Sequence, residues 1–276
     1  MRIGILHHPK IPASHTLAAD IQTWLHGRGQ RTWVGSAWNA EAIQSELADM
    51  DLLITLGGDG TLLRAGRVCA KQGVPILGVN LGRLGFLAEI QPADWQQQLP
   101  RMLAGDYWLE ERLMLKAEAW RGDTLLDGML EALNDVVVSR SSLARVVRIA
   151  AEVNGSPLTT YVADGIIVAT PTGSTAYALA AGGPILPPDL RNILLLAIAP
   201  HLSLARPLVL DCDDVIGLQV QTDHAAILTV DGQFLIDLQD GDRVVVTSSP
   251  HMARFVRIQP RSYFYKTLID RLKGTI

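Results

Sequence analysis

Cysteine is scarce in this sequence. The two present, Cys69 and Cys212, lie far apart and match no metal-ligand spacing, which argues against both a disulfide framework and a structural zinc. Charge is balanced, with 24 Lys and Arg against 28 Asp and Glu and a net −4. No basic block occurs, so a nucleic acid would find no concentrated basic face, and none is expected as the main partner. Long apolar runs are missing too. The longest, Ile193 to Ile198, is too short to span a membrane, and Met1 to His8 holds too short an apolar segment for a signal peptide, so a cytoplasmic protein is expected. Two phosphate-binding signatures are also lacking. There is no G-x-x-x-x-G-K-[ST], which excludes a P-loop enzyme, and no G-x-G-x-x-G opens a helix after the first strand, which weakens a hydride-transfer reading. What remains is a globular composition, 48% apolar and 19% charged over 276 residues, enough for one large domain or two ordinary ones.

The most informative stretch is Leu53-Ile54-Thr55-Leu56-Gly57-Gly58-Asp59-Gly60-Thr61-Leu62-Leu63. Its apolar start reads as a strand buried on both faces of a parallel sheet, its glycines as a tight loop, and its end as the start of a helix. Gly57, Gly58 and Gly60 can take positive φ and bring backbone amides close to an anion, with Thr61 as the expected N-cap. A helix N-terminus aimed at that loop favours phosphate. Asp59 would repel phosphate unless it holds Mg²⁺ or receives a hydroxyl's proton; alternatively the loop is only a tight turn.

Around this stretch strands and helices alternate. Arg2 to Leu6, Arg31 to Val34, Leu52 to Leu56 and Val74 to Val79 read as strands, with helices opened by Ser14 and Asn39 and a third after the glycine loop. Alternation of this kind implies right-handed βαβ units whose ligands lie beyond the carboxyl ends of the strands. A second glycine turn, Asn80 to Phe86, falls at such an end. Phe86 there is either a base-stacking aromatic or a core anchor for the loop. Beyond a polar helix around Pro92 to Gly105 the period changes to two. Segments such as Trp108 to Trp120, Leu130 to Arg140 and Thr160 to Ala169 read as strands, parted by turn signals such as Asn154-Gly155 and Asp231-Gly232. The expected fold is therefore an α/β N-terminal domain (1–105) with a doubly wound, mostly parallel sheet. A β-rich, β-sandwich-like C-terminal domain (106–250) follows, and 251–276 is expected to pack back on the first.

Three features of the β-rich part exceed ordinary connections. Asn134-Asp135 sets an amide beside a carboxylate at a strand end, either to grip hydroxyls or a base edge, or as an Asx-type cap. Asp164 to Tyr177 runs from a strand through Thr170-Pro171-Thr172-Gly173-Ser174-Thr175 into a small-residue helix, a second anion cradle. Pro200-His201 with Arg206-Pro207 is the third, although a lone His near an apolar strand is more often a core residue than a catalyst.

Taken together, Gly57-Gly58-Asp59-Gly60-Thr61, Asn80 to Phe86, Asn134-Asp135, Asp164 to Tyr177, Pro200-His201, Arg206-Pro207 and Val230-Asp231-Gly232-Gln233 resemble the NAD kinase family. The glycine loop alone is shared with diacylglycerol-type lipid kinases and phosphofructokinases; the Thr-Pro-Thr-Gly-Ser-Thr-Ala-Tyr segment is what favours NAD kinase. Many members carry Asn-Glu where this chain has Asn134-Asp135. The resemblance implies two domains with a cleft between them, and transfer of the γ-phosphoryl of ATP to the 2′-hydroxyl of the adenosine ribose of NAD, with a divalent metal, Mg²⁺, on the phosphates. Asp59 would accept the hydroxyl's proton with Gly60 against the nucleotide, and Phe86 would lie on the adenine. Asn134, Asp135, Arg145, Val162, Asp164, Gln233 and the run Thr175, Ala176, Tyr177, Ala178, Leu179 and Ala180 would contact NAD. Gly57, Gly58, Thr61, Arg64 and His201 are candidate contacts of the ATP phosphates. A homodimer or homotetramer with shared sites is implied as well. A lipid or sugar kinase, or a dinucleotide sensor that transfers nothing, would be the competing readings.

Overall fold

The structure is a computed structural model that describes residues 1–82, 85–141, 146–201 and 206–273. In chain order the elements begin β1 (Arg2–His7), α1 (Pro12–His26), β2 (Arg31–Ser36), α2 (Ala40–Glu46), β3 (Leu52–Gly57), α3 (Asp59–Ala70), β4 (Ile76–Asn80), α4 (Trp95–Leu103) and β5 (Trp108–Arg112). Then follow β6 (Leu115–Arg121), β7 (Thr124–Ala132), β8 (Asp135–Arg140), β9 (Val147–Val153), β10 (Ser156–Ala163), β11 (Gly165–Ala169) and α5 (Tyr177–Ala180). The chain closes with β12 (Asn192–Ile198), β13 (Leu208–Asp211), β14 (Ile216–Gln221), β15 (Ala226–Val230), β16 (Phe234–Leu238), β17 (Arg243–Ser248), β18 (Ala253–Arg257) and α6 (Tyr263–Lys273). It divides into two compact units, Met1–Arg112 together with the chain from His251, and Leu113–Pro250.

The first unit is built on a sheet in the order β2-β1-β3-β4-β18-β5, parallel throughout except for β5 at its edge. β3 and β4 are buried along their whole length, as their mostly apolar, uncharged runs require of strands covered on both faces. α1 seats Ala18, Ile21 and Leu25 among Ile3, Ile5, Ile54 and Leu56. The chain leaves β1 for β2 on one side and returns to β3 on the other. The carboxyl ends of β1 and β3 therefore flank a topological switch point, where open α/β sheets bind their ligands.

Several sequence expectations are corrected here. Ser14 does not open α1; it is buried inside the first turn, where its hydroxyl donates to the carbonyls of His8 and Ile11 and accepts the His8 N–H. Asn39 does cap α2, through the Ala42 N–H at 3.1 Å. α3 begins at Asp59 with Gly58 before it, so Thr61 lies within the helix, and none of Gly57, Gly58 and Gly60 has positive φ. Gly57 serves close approach instead, since a Cβ there would lie 2.3 Å from the Thr61 hydroxyl. Trp108–Arg112, expected in the second domain, is a strand of the first sheet. β18, which no expected strand covers, inserts between β4 and β5 and supplies the pairing.

The second unit holds two six-stranded sheets of antiparallel pairs, β10-β9-β14-β17-β6-β7 and β13-β12-β11-β8-β15-β16. Asn154-Gly155 (φ 53° and 73°) forms the two-residue hairpin turn that its sequence announces, and Asp231-Gly232 (φ 50° and 61°) opens a three-residue hairpin connection that ends with Gln233. The single strand expected over Leu130 to Arg140 breaks at Leu133-Asn134. The reason lies in that second hairpin: the Asp231 carboxylate accepts N–H bonds from Leu133, Asn134 and Asp135, drawing those amides out of strand pairing.

Candidate active site

At the switch point of the first sheet, α3 directs its first backbone N–H groups at the glycine loop. Asp59, the first helical residue, sends its carboxylate to the second glycine turn. There Oδ2 accepts the Phe86 N–H at 2.7 Å and Oδ1 the Leu87 N–H at 3.1 Å. Gly85 makes that approach possible, because a Cβ on it would stand 2.2 Å from Asp59 Oδ1. The start of the same turn is knotted by Asn80, whose side chain accepts from the Gly82 N–H and donates to the Gly82 carbonyl. Phe86 is half-buried, 6.4 Å from the Phe264 ring and under the Arg271 guanidinium at 5.6 Å, so the core-anchor alternative for it has a structural basis.

The carboxyl end of β1 adds groups that, apart from Arg64, the sequence reading did not single out. The His7 and His15 rings lie 3.9 Å apart, and burial, with His15 beside it, lowers the His7 pKa. His8 meets Trp38 edge-on at 5.5 Å, and Lys10 and Arg64 sit over the Trp38 ring at 4.7 and 5.5 Å. Two histidines directly after a first buried strand were the available signal.

Behind the second glycine turn lies a buried ionic cluster. Glu110 accepts from Arg112 and from Arg257, both at 2.7 Å, and Glu89 pairs with Arg257 at 3.3 Å. Burial pushes the Glu110 carboxyl up, but the two guanidiniums outweigh it and hold the group at about 2. Arg257 also donates to the Leu87 carbonyl at 2.7 Å and Arg271 to the Phe86 carbonyl at 3.3 Å. The sequence reading missed these residues, although charges set among apolar neighbours in Val256-Arg257-Ile258 were a signal.

In the second unit, one end of the sheet containing β8, β11 and β15 gathers Asn134-Asp135, Thr170 to Thr175 and Asp231 to Gln233. Gly173 sits on the Asn134 backbone, where a Cβ would come within 2.1 Å of the Asn134 carbonyl oxygen. Thr170 donates to the Leu133 carbonyl at 2.6 Å and accepts the Gly173 N–H at 3.0 Å. Asp135 is 6% exposed, and burial together with the nearby Asp231 raises it to about 7. α5 lies on the sheet face, with Ala178 packed among Val137, Ile167 and Ala169. By alternation Asp135 shares that face with Val137.

Not every candidate joins this group. Asp164 lies at the opposite end of β11, in a two-bond pair with Arg140 at 2.8 and 3.2 Å, and there the His201 N–H bonds the Val162 carbonyl at 2.7 Å. The Asp164 hydrogen bond raises the Arg140 pKa, against the effect of burial. Arg145 lies outside the described residues.

Residues 13–107 match the model of the ATP-NAD kinase N-terminal domain and residues 133–258 that of the C-terminal domain. This chain belongs to the NAD kinase family. It is 44% identical over 272 residues to the NAD kinase of Chloroflexus aggregans, covering 99% of this chain and 98% of the relative. Among solved structures it resembles yeast NADH kinase complexed with NADH, with TM-score 0.86 and 26% identity over 99% of this chain and 87% of that one. It also resembles an NAD kinase from Archaeoglobus fulgidus in complex with ATP, with TM-score 0.79 and 27% identity over 99% of both chains. The NAD kinase architecture expected from the sequence, an α/β N-terminal part and an antiparallel β-rich C-terminal part, is the one observed. The chain is an ATP-dependent NAD kinase, a phosphotransferase.

Proposed function

We propose that in this NAD kinase Asp59 receives the proton of the NAD 2′-hydroxyl as the γ-phosphoryl of ATP is transferred to it, giving NADP. The observation that carries the reading is the Asp59 carboxylate fixed at the head of α3 by two backbone N–H groups, at the sheet's switch point. A ribose hydroxyl is far too weak an acid for a carboxylate to deprotonate in advance. Asp59 therefore orients the hydroxyl and takes its proton late, while amides and metal neutralise the transferred group. Each carboxylate oxygen carries a second lone pair, so the peptide clamp leaves acceptor capacity for the alcohol.

The α3 N-terminus with Gly57, Gly58, Thr61 and Arg64 takes the ATP phosphates in this reading, with His201 a further contact. Asn134, Asp135, Asp164 and Gln233 offer hydroxyl and base partners to NAD, helped by Val162 and the run Thr175 to Ala180. Likeness to structures holding NADH and ATP supports both ligands. A divalent cation, Mg²⁺, comes in with ATP as part of the substrate. Among the described residues the one three-donor group, Asp211-Cys212-Asp213, is remote in sequence from the glycine loop, which suits a metal carried by the phosphates. A homodimer or homotetramer in the cytoplasm completes the proposal; among the described residues no helix is long and apolar enough to cross a membrane.

Incubation with ATP, Mg²⁺ and NAD tests the reaction, the expected product being NADP. A lipid or sugar phosphorylated in its place, or bound NAD without turnover, would overturn it. A parallel incubation with NADH reads whether the reduced ring is accepted.

A further inference from the structure

The two N–H groups that hold Asp59 belong to consecutive peptide units, and the carbonyls of Phe86 and Leu87 are both gripped from behind. The unit between Phe86 and Leu87 has its oxygen bonded by Arg271 at 3.3 Å and its N–H bonded to Asp59 at 3.1 Å. The next carbonyl, of Leu87, accepts from Arg257 at 2.7 Å. Arg271 is 5% exposed, near the end of the C-terminal helix, and its guanidinium lies over both the Phe86 and Tyr263 rings at 5.6 and 5.5 Å. Arg257 is itself fixed by Glu110 and Glu89. Glu89 in turn ties down the chain entering α6, accepting the N–H groups of Ile258 and Gln259 at 3.0 and 2.7 Å. Burial, with Arg257 nearby, lowers the Arg271 pKa, while Tyr263, Asp59 and Glu89 oppose that shift. Asp59 is thus within electrostatic reach of a side chain 212 positions later in the chain, by the difference of the two residue numbers.

We infer that Arg271 is a positioning residue for Asp59, acting through the single peptide unit that joins Phe86 to Leu87. This inference rests on the reading of Asp59 as proton acceptor. A peptide whose oxygen is bound by a cation cannot rotate freely, and the polarised amide becomes a stronger donor at its other end. The guanidinium therefore sets both the direction and the strength of one of the two bonds that aim the carboxylate. Phosphoryl transfer depends on positioning, so a small swing of the carboxylate costs rate with little change in affinity.

The test uses the full-length enzyme. Arg271→Met should lower kcat by about tenfold or more, because a displacement of about 1 Å by a remote substitution is enough for such losses, with KM for NAD and ATP within about twofold. Its Leu87 amide proton should move upfield in the NMR spectrum, and Arg271→Lys should recover part of the rate. In an Asp59→Asn background Arg271→Met should cost nothing further. Should Arg271→Met fail to melt cooperatively, Arg271→Gln, which keeps an amide donor of shorter reach, takes its place under the same criteria. Unchanged kcat, or equal losses in kcat and affinity with no recovery by Lys, would overturn the inference. An inactive Asp59→Asn beside a fully active Arg271→Met would defeat this inference alone, whereas an active Asp59→Asn would defeat the reading of Asp59 beneath it.

Discussion

Asp59 and Asp135 each stand where a strand meets a glycine-bearing turn, but the charge around them differs in sign. Asp59 is held by two amides; Arg271 backs the peptide that carries one of them, and Arg257 binds the next carbonyl along the chain. Asp135 is buried next to a second carboxylate, Asp231, whose own acceptors are spent on Leu133, Asn134 and Asp135 amides. One carboxylate is surrounded by donors and fixed in direction; the other, buried beside a like charge, is eased by a proton or by a ligand's hydroxyls. The contrast fits the proposed division of labour, with chemistry on the first and recognition on the second.

Breaking the first half of the contrast should have the largest effect. Asp59→Asn removes the proposed proton acceptor but keeps the shape, so turnover should fall by about a thousandfold or more while NAD still binds, as read by steady-state rates and calorimetry. Near-normal turnover would take Asp59 out of the chemistry.

A single methyl group can then probe both cradles. In Gly173→Ala the new Cβ meets the Asn134 backbone, which has nowhere to go. The variant should lose about 1–3 kcal/mol or more of stability, seen as a lower denaturation midpoint. In Gly85→Ala the Cβ meets a side chain, Asp59, which can turn aside. That variant should fold and lose activity, and equal destabilisation of the two would erase the distinction between a structural and a functional close approach.

Asp135 sharpens the comparison through pH. Its folded pKa, about 7, exceeds the ordinary 3.8, so between those values the folded chain holds a proton that the unfolded chain has released. Stability falls over that window as pH rises, and above pH 7 the whole penalty is present. Asp135→Asn, free of it, should gain on the wild type by up to about 4 kcal/mol at pH 8 and by little at pH 4, followed by melting at both pH values. The smallest effect is expected for Asn134→Ala, a weaker apparent affinity for NAD of about tenfold with the fold kept, as suits one lost hydrogen bond. Unchanged KM and kcat there would leave Asn134 a strand cap and nothing more.

Much of this molecule was legible in the residues. The buried strands came from unbroken apolar runs, the cap of α2 from Asn39, the hairpins from Asn154-Gly155 and Asp231-Gly232, and the family from the order of its glycine and hydroxyl motifs. These are local signals, written within a few neighbouring side chains. Thr61 misled because a residue suited to capping was needed inside the helix, packed on Gly57. Partnership at a distance was not legible. The sequence by itself determined the chemistry on offer, a carboxylate among glycines and an amide-carboxylate pair at a strand end. Only the tertiary structure decided that β18 would pair with Trp108–Arg112, that Asp231 would hold the Asn134 turn, and that Arg271 would reach the peptide behind Asp59. Hydrogen bonds and ion pairs act over a few ångströms of space, and closing the long loops between such partners depends on the whole core being packed.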